Sequence, residues 1–493
     1  MIGLRVFWAL FLAGIVGLCF RRSWRWEHGK DGADELFYSE ERGRMTTAVW
    51  LSPLLLPLMM TAGFLLYLLL VDGQRFFGVA TQVLLTVIVY FALLAALLPL
   101  LRRCISARAC AVLWLLPVFE FYQFNVLAEG QPRPLLTVYL PGSALRAAVA
   151  VWAAGFAAVL LWYTVSHLAF RRRVLRQTSP VNDPQTLAIW QAELDRVDYR
   201  QPGRLLQSAA AGAPFSTGLF KRTRLTVLPE RFYSADDLMW IFRHEIRHLQ
   251  RGDVETKLFL TFCNALCWFC PLVWLATRRA AEDIELSCDE WVLKEADEPA
   301  RRRYAELLLR SAGPQRGFTT CLSASARSLR YRLRSIMSAG RRLTGTAVLM
   351  AAMFLCVMSY GLAVVTTERT TADRLLDGAS VGTVYYQMGL PLGTAYAEDK
   401  FSDSALREAL SGLTAEQLLG QYQNRDEAAR QLSLYFSDTG GRGMMNIYDD
   451  SIVVEYYRAD EKGHSARRQL RCWLLRDQVD WARVEQCFSA HAD

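Results

Sequence analysis

Long apolar stretches constrain the fold of this 493-residue chain more than any other feature of its sequence. An α-helix needs about 20 mostly apolar residues to cross the hydrocarbon core of a bilayer. Because 52% of the residues are hydrophobic, the sequence predicts a multi-pass α-helical membrane protein rather than a water-soluble one. The spans predicted within residues 1–170 are Ile2–Phe20, Ala48–Val71, Phe77–Leu101, Ala109–Leu127 (the weakest, since it carries polar side chains) and Leu145–Phe170.

Clusters of arginine predict how these spans are oriented. Arginines follow the first, third and fifth spans, whereas the alternate loops contain little positive charge. By the positive-inside rule, the N-terminus lies outside and the chain from Arg171 onward lies in the cytoplasm. A sixth apolar run, Ala347–Val365, starts inside and therefore places the residues from about Thr366 outside.

The sequence thus predicts a plasma-membrane protein with four regions. These are an N-terminal transmembrane region (1–170), a cytoplasmic domain (171–345), a transmembrane helix (346–366) and an extracellular domain (367–493). The net charge is +8, yet 20 acidic and 14 basic residues lie from Glu368 onward. This asymmetry fits two compartments and does not indicate a nucleic-acid binder. Of eleven cysteines, Cys472 and Cys487 lie in the outer domain, where a disulfide between them is an open alternative.

The stretch "IFRHEIRHLQRGD", Ile241–Asp253, contains two of the six histidines of the chain. Ser234 and Asp237 have the form of a helix N-terminal capping box, and Gly252 is placed to end the helix. His244 and His248 then lie one turn apart on one face, a spacing that allows two imidazoles to bind one Zn²⁺. Glu245 lies beside them, where it can exchange a proton with a metal-bound water.

A catalytic zinc needs a third protein ligand, and "RRAAEDIELSCDEWVL" offers acidic residues on one helical face. Glu285 is the preferred ligand, with Asp289 orienting a zinc-bound histidine through the outer ring nitrogen. The alternatives are that Glu282 is the ligand, or that these acidic residues form only a solvated helix face. If the apolar run Leu258–Ala276 crossed the membrane once, Glu285 and the histidines would lie on opposite sides. That run is therefore a buried core helix, a re-entrant hairpin or an interfacial segment.

Two further segments suggest how a peptide would reach such a site. "RTRLTVL" predicts a strand just before the histidine helix, and its residues Arg224, Leu225, Thr226 and Val227 are candidates for binding a substrate by strand addition. An ordinary core strand is the alternative. The segment Ser311–Ser328 is rich in small and polar residues, which makes it a candidate for self-cleavage.

With these motifs in place, the chain resembles the BlaR/MecR-type membrane metallopeptidases, metallopeptidase family 56. The resemblance rests on "APFSTGLFKRTRLTVLP", "HEIRH", "CWFCPLVWLATRRAAEDIELSCDEWVL" and "RRRYAELLLR". It implies a zincin-like α+β fold, with His244, His248 and Glu285 as zinc ligands and Glu245 as the catalytic acid and base. It also implies that an outer domain senses a ligand and that the inner protease then cleaves a cytoplasmic repressor, often after cutting itself.

The C-terminal region departs from the best-known members, which have a large penicillin-binding sensor. Neither S-x-x-K nor K-T-G occurs after residue 366. The sequence predicts instead a small α+β domain with an initial helix from Ser404 to Tyr422, three strand-like segments and a final helix. Its extracellular ligand is not evident from the residues.

Three functions remain in competition at this point. The first is a signal-transducing zinc endopeptidase, with the lipid bilayer, a cytoplasmic repressor and an outer ligand as partners. The second is a housekeeping membrane protease that removes damaged proteins. The third is a receptor without catalysis, which the presence of Glu245 disfavours. A homodimer is left open as an assembly.

Overall fold

We analysed a computed structural model of the chain. It describes residues 2–27, 73–122, 134–197, 199, 203–219, 221–311, 320–321, 326–337, 342–388, 394–397, 401–419, 430–438, 441–459 and 466–489.

Three helices in the described part of the chain are long and apolar enough to cross a membrane, within Gly3–Arg25, Ala80–Cys104 and Gly142–Leu175. They belong to α1 (Ile2–Glu27), α2 (Gly73–Cys104) and α4 (Gly142–Leu175), and they correspond to the first, third and fifth predicted spans. The second predicted span, Ala48–Val71, lies outside the described residues.

The fourth predicted span is not one continuous helix. The chain forms a seven-residue helix, α3 (Ala107–Leu113), and then a 3₁₀ helix over Leu116–Tyr122. Pro117 lacks a backbone N–H and disfavours an α-helical residue before it, so it favours a break here. Every residue of α3 is buried against other helices. Residues 107–117 therefore belong to the packed interior.

The apolar run Leu258–Ala276 folds as a helical hairpin and not as one continuous helix. Its arms are α7 (Asp253–Leu266) and α8 (Pro271–Val292), and Pro271 occupies the first turn of α8, where its missing N–H has no cost. The tip packs on α4. Trp152 Nε1 donates to the Leu266 carbonyl at 2.9 Å, and Trp268 Nε1 donates to the Trp152 carbonyl at 3.2 Å.

The last apolar helix, α11 (Thr346–Ser359), is shorter than the predicted span 346–366. The chain becomes extended at Tyr360, and Gly361 has a positive φ of 81°, so the helix ends and strand β7 (Ala363–Thr371) follows. Helix α11 packs along α1. Arg5 of α1 donates to the carbonyls of Val357 and Met358 at 3.0 and 2.9 Å, which satisfies acceptors at the end of α11.

In the described residues, the domain between α4 and α11 contains a five-stranded sheet, the hairpin of α7 and α8, and four further α-helices. These four are α5 (Pro184–Arg196), α6 (Ala235–Arg251), α9 (Glu298–Ser311) and α10 (Ala326–Met337). The strands are β2 (Thr178–Pro180), β3 (Arg204–Ser208), β4 (Phe215–Thr217), β5 (Leu225–Pro229) and β6 (Thr320–Cys321), in the order β2-β3-β5-β4-β6.

This strand order corrects the expectation that β5 lies at the edge of a cleft. β5 pairs with β3 in parallel and with β4 in antiparallel orientation, and all five of its residues are buried. Its backbone groups are therefore used within the sheet. Arg224, Leu225, Thr226 and Val227 cannot add a substrate strand, and the alternative of an ordinary core strand is the one observed.

The C-terminal domain is α+β, with a nine-stranded sheet in the order β1-β7-β10-β14-β13-β12-β11-β8-β9. Helices α12 (Asp403–Ser411) and α13 (Trp481–Ser489) cover one face. The remaining strands are β1 (Leu136–Tyr139), β8 (Ser380–Met388), β9 (Thr394–Ala397), β10 (Thr414–Leu418), β11 (Arg430–Asp438), β12 (Gly441–Ile447), β13 (Ser451–Ala459) and β14 (Ala466–Leu475).

Two features of this domain differ from the sequence expectations. The predicted helix Ser404–Tyr422 ends at Ser411, and strand β10 occupies its second half. Strand β1, which precedes α4, pairs in parallel with β7, so the loop between membrane helices contributes to the sheet.

The structure has no disulfide between Cys472 and Cys487, and both are free thiols. Cys472 of β14 packs on one face of the sheet, whereas Cys487 lies on α13, which covers the other face.

The contact between α4 and the hairpin tip gives a first prediction. A Cβ placed on Gly155 would lie 2.1 Å from the Trp268 ring, whereas one on Gly14 of α1 would meet nothing within 4 Å. We expect Gly155→Ala to displace Trp268 and to lower the free energy of unfolding by about 1–3 kcal/mol. Gly14→Ala, the matched control, should be neutral or stabilising by up to about 1 kcal/mol. Thermal unfolding in detergent compares the two, and equal stability of both variants would contradict this contact.

Candidate metal centre

Helix α6 places the two histidines of "HEIRH" on its buried face. The helix begins at Ser234, whose Oγ accepts a hydrogen bond from the Asp237 amide at 3.1 Å. It ends at Gly252, which has a φ of 69°. His244 and His248 are both essentially inaccessible to solvent, and their Nε2 atoms lie 3.0 Å apart. The predicted helix with its start and stop signals is thus present, and the two nitrogens converge on one point.

Glu285 of α8 supplies the third donor atom near that point. Its Oε2 lies 3.5 Å from His244 Nε2 and 3.7 Å from His248 Nε2. Its Oε1 accepts a hydrogen bond from Lys257 Nζ at 3.2 Å, which leaves Oε2 to face the histidines. Glu282, the alternative ligand, instead contacts Arg102 of α2 at 3.3 Å. The face that carries Glu285 is buried, so it is not a solvated acidic face.

The outer nitrogen of His244 is held by a chain of hydrogen bonds. Tyr304 of α9 lies between His244 and Asp289, with its hydroxyl 2.9 Å from His244 Nδ1. The same hydroxyl donates to Asp289 Oδ1 at 2.7 Å, so His244 Nδ1–H must donate to Tyr304. Asp289 itself is 3.4 Å from His244 Nδ1. Asp289 therefore lies close to its predicted position but reaches the histidine mainly through Tyr304, which sequence reasoning did not identify.

The outer nitrogen of His248 has a different partner. His248 Nδ1 lies 2.6 Å from Asp253 Oδ2, and both side chains are buried. Sequence reasoning missed this residue, although it ends the stretch that contains the histidines. Gly252 was the sequence feature that indicated this contact. A left-handed glycine at the end of a helix turns the chain back, so the next side chain, Asp253, lies alongside the last turn of α6.

Cys288 also approaches this side of His248. Its Sγ lies 3.4 Å from His248 Nδ1 and 3.9 Å from Asp253 Oδ2, so these three residues form a second group that could hold a metal ion. The two groups share His248 but use opposite nitrogens of its ring. An imidazole that binds a metal through one nitrogen usually donates from the other to a carboxylate. Asp253 and Cys288 therefore fit a supporting role for the group of His244, His248 and Glu285.

Glu245 lies on the same helix turn as the ligand candidates and is completely buried. Burial raises its pKa, and the charges of His248 and His244 together with a hydrogen bond from Ser216 only partly oppose this effect. A carboxyl group with a raised pKa can both accept and return a proton near neutral pH. The position and environment of Glu245 thus suit a general acid and base.

The protonation of the histidines is coupled to the carboxylates around them. Burial alone would lower the pKa of His244, but the neighbouring carboxylates of Asp289 and Glu285 outweigh burial and raise the pKa to about 9. The pKa of His248 is also raised, because Cys288, Glu285 and Asp253 outweigh burial. Burial alone would raise the pKa of Glu285, but Lys257 and His248 outweigh burial and hold it well below the usual value.

The donor set fits a divalent cation. Two imidazole nitrogens and one carboxylate oxygen lie within 4.8 Å of one another on three buried residues. Glu285 Oε2 is buried and makes no hydrogen bond of normal geometry, which suits an oxygen that binds a metal. Two histidines and one carboxylate are a usual protein ligand set for a catalytic metal that keeps one coordination position open.

A buried site of this kind, carried by a domain packed among membrane helices, defines the class of membrane metallopeptidases. The model of the BlaR1 peptidase M56 family matches residues 87–336, slightly more than half of the chain, so the chain belongs to this family. A relative described as regulatory protein BlaR1, from Bacillus licheniformis, is 27% identical over 183 residues. That match covers 37% of this chain and 30% of the relative, less than a third of its length. The family resemblance seen in the sequence is confirmed.

Asp253 gives a prediction for the metal centre. Replacing the carboxylate that orients a metal-bound histidine usually lowers metal affinity by about 10–100-fold, and we expect this loss for Asp253→Asn. Asp236→Asn, at the exposed start of the histidine helix α6, is the control and should leave the affinity unchanged. Competition with a chromogenic chelator measures both variants. Unchanged affinity in Asp253→Asn would show that His248 is oriented by other groups.

The pH dependence of metal binding gives a second prediction. Metal binding requires neutral imidazoles, and the pKa of His244 in the metal-free site is about 9. Below this pH the metal must displace a proton, so the apparent affinity should rise with pH up to about 9, by roughly tenfold per pH unit for each proton released. Calorimetric titration in buffers with different ionisation enthalpies counts the protons. An affinity that is constant between pH 7 and 9 would contradict the raised pKa.

Proposed function

We propose that the protein is a membrane-embedded zinc endopeptidase that converts a signal outside the cell into proteolysis in the cytoplasm. Its substrate is a cytoplasmic repressor protein, and it also cleaves itself between Ser311 and Ser328. The convergence of His244 Nε2, His248 Nε2 and Glu285 Oε2 beside the buried Glu245 carries this proposal. The similarity to a regulatory BlaR1 protein supports the signalling part.

The residues of the centre have distinct roles in peptide hydrolysis. His244, His248 and Glu285 would hold Zn²⁺, which when bound lowers the pKa of a water molecule and polarises the scissile carbonyl. Glu245 would accept a proton from the attacking water and return it to the leaving amine. Tyr304 and Asp253 keep the Nδ1 protons of the histidines in place, so that both Nε2 lone pairs face the centre.

The edge of β4, rather than β5, is the proposed binding site for the substrate backbone. β4 lies against α6, the helix that carries the histidines and Glu245, and Ser216 Oγ of β4 donates to the Glu245 carbonyl at 3.3 Å. Its outer edge pairs in antiparallel orientation with the short strand β6, with Phe215 opposite Cys321 and Ser216 opposite Thr320. β6 belongs to the proposed self-cleavage segment. A piece of that segment thus occupies the place in which strand addition would align an extended peptide.

The packing of the helices supports the prediction that the N-terminus, the segment before α4 and the segment after α11 lie on the same side of the membrane. The start of α1 contacts the end of α11 through Arg5, and β1 before α4 pairs with β7 after α11. These chain positions are the ones assigned to the outside. The hairpin tip contacts Trp152, 19 residues before Arg171 on α4, which corresponds to about 28 Å of helix. The hairpin would therefore reach through most of the bilayer from the cytoplasmic side.

Buried ion pairs connect the inner ends of the membrane helices to the catalytic helices. Glu27, at the end of α1, contacts Arg247 within "HEIRH" and Arg108 at the start of α3, the latter at 2.9 Å. Arg102, at the end of α2, contacts Asp283 of α8 at 2.7 Å. A shift of these helices would therefore act directly on the two elements that carry the metal ligands. This linkage favours signal transduction over a housekeeping protease.

A receptor without catalysis is the weaker alternative, because a structural metal site needs no buried Glu245 beside its ligands. The housekeeping alternative predicts cleavage of many unfolded proteins in the absence of any stimulus. A single repressor substrate, encoded near this protein, would favour the signalling function.

Catalysis is tested by Glu245→Gln, which removes the proton acceptor but none of the proposed ligands. We expect this variant to bind zinc near stoichiometrically and to lose proteolysis, including cleavage between Ser311 and Ser328. Glu306→Gln, an exposed glutamate of the same domain, is the control and should cleave like the wild type. Mass spectrometry of the purified chains identifies the fragments. Identical fragments from the Glu245→Gln variant would assign the cleavage to another protease.

Orientation is tested with single cysteines at exposed positions. We expect a membrane-impermeant maleimide to label Ser437→Cys on intact cells and to label Gln191→Cys only after the cells are opened. The unmodified chain, with its own cysteines, provides the background. Labelling of Gln191→Cys on intact cells would overturn the proposed orientation.

A further inference from the structure

Arg332 is a completely buried arginine that reaches the metal centre from α10, outside the motifs that indicated the site. Its guanidinium forms a two-point contact with Asp289, from Nε to Oδ2 and from Nη2 to Oδ1, both at 2.7 Å. Its Nη1 lies 3.4 Å from Glu285 Oε2, the oxygen that faces both histidines. One cation therefore contacts both the carboxylate that supports His244 and the third ligand.

The contact with Asp289 determines what that carboxylate can do. Asp289 is only 2% exposed, and a buried carboxylate without a cation would become protonated or turn away. Arg332 is that cation, and its two hydrogen bonds fix both carboxylate oxygens of Asp289. Asp289 Oδ1 then accepts a hydrogen bond from the Tyr304 hydroxyl, whose oxygen accepts a hydrogen bond from His244 Nδ1–H.

The geometry points to a positioning role, and this inference rests on the metal assignment of the proposed function. We propose that Arg332 holds Asp289 in place and thereby fixes, through Tyr304, the tautomer and orientation in which His244 binds the metal. Arg332 contacts no substrate in this scheme, so it supports the centre without taking part in the reaction.

Arg332 comes from a later part of the chain than the other residues of the centre, which lie on α6 to α9. Helix α10 begins at Ala326, within the proposed self-cleavage segment Ser311–Ser328, and packs on α8 and α9. It precedes α11, the helix that leads into β7 of the C-terminal domain. Arg332 therefore completes the surroundings of the metal centre from an element that lies between the proposed cleavage segment and α11.

The test measures metal affinity in the full-length chain that carries Glu245→Gln, so that self-cleavage does not interfere. We expect Arg332→Gln to weaken the binding of Co²⁺ and Zn²⁺ by about 10–100-fold and to alter the visible absorption of bound Co²⁺. Arg334→Gln, an exposed arginine of the same helix, is the matched control and should bind like the parent. Unchanged metal affinity in folded Arg332→Gln would overturn the proposal.

A double substitution keeps the proposal testable if Arg332→Gln alone does not fold. Arg332→Met combined with Asp289→Asn leaves no unpaired buried charge and is therefore expected to fold. If Arg332 acts through Asp289, this double variant and Asp289→Asn alone should show the same weakened affinity. A parent-like affinity of the double variant would overturn the proposal. If the parent chain itself binds no metal, the proposed function fails together with this inference, whereas equal binding by parent and Arg332→Gln rejects only the role of Arg332.

Discussion

The position of Glu285 opposite the two histidines is the constraint on which the rest of the structure depends. One helix can present two imidazoles to a metal, but a third ligand must come from another element that returns to the same side. The hairpin of α7 and α8 meets this requirement, because its tip turns the chain through 267–270 and brings α8 back to α6. An apolar run that could have been a membrane crossing is thereby used to place Glu285 within 3.5 Å of His244.

Buried charge is the main energetic problem of this arrangement. The region around the metal centre contains the carboxylates of Glu245, Asp253, Glu285 and Asp289, and burial without partners would strongly destabilise them. The structure offsets this by placing a cation beside most of them: Lys257 beside Glu285, Arg251 beside Asp253 at 3.3 Å, and Arg332 beside Asp289. Glu27 of α1 is likewise buried and forms an ion pair with Arg247. Electrostatic pairing thus couples the peptidase to the membrane helices.

Much of the site was predictable, because its signals are local. Start and stop residues defined the histidine helix. The requirement that Glu285 reach one metal with His244 excluded a single membrane crossing by Leu258–Ala276, but it left a core helix, a hairpin and an interfacial segment open. Contacts between segments distant in sequence were not predictable. Neither spacing nor composition shows that Tyr304 and Arg332 lie near His244 and Asp289. The order of the strands was not predictable either. An apolar strand such as β5 has the same residue pattern whether it lies at the centre of a sheet or near its edge. The pairing of β1 with β7 depends likewise on the folded C-terminal domain.

The identity of the ligands is the central claim, and X-ray absorption spectroscopy of zinc in the purified Glu245→Gln chain tests it most directly. The account predicts a first shell of only nitrogen and oxygen at about 2.0–2.2 Å, with two imidazoles. It also predicts that Glu285→Gln removes most of the bound zinc, whereas Cys288→Ser leaves the first shell unchanged. A sulfur scatterer at about 2.3 Å that disappears in Cys288→Ser would contradict the account, because it would place the metal on the opposite side of His248.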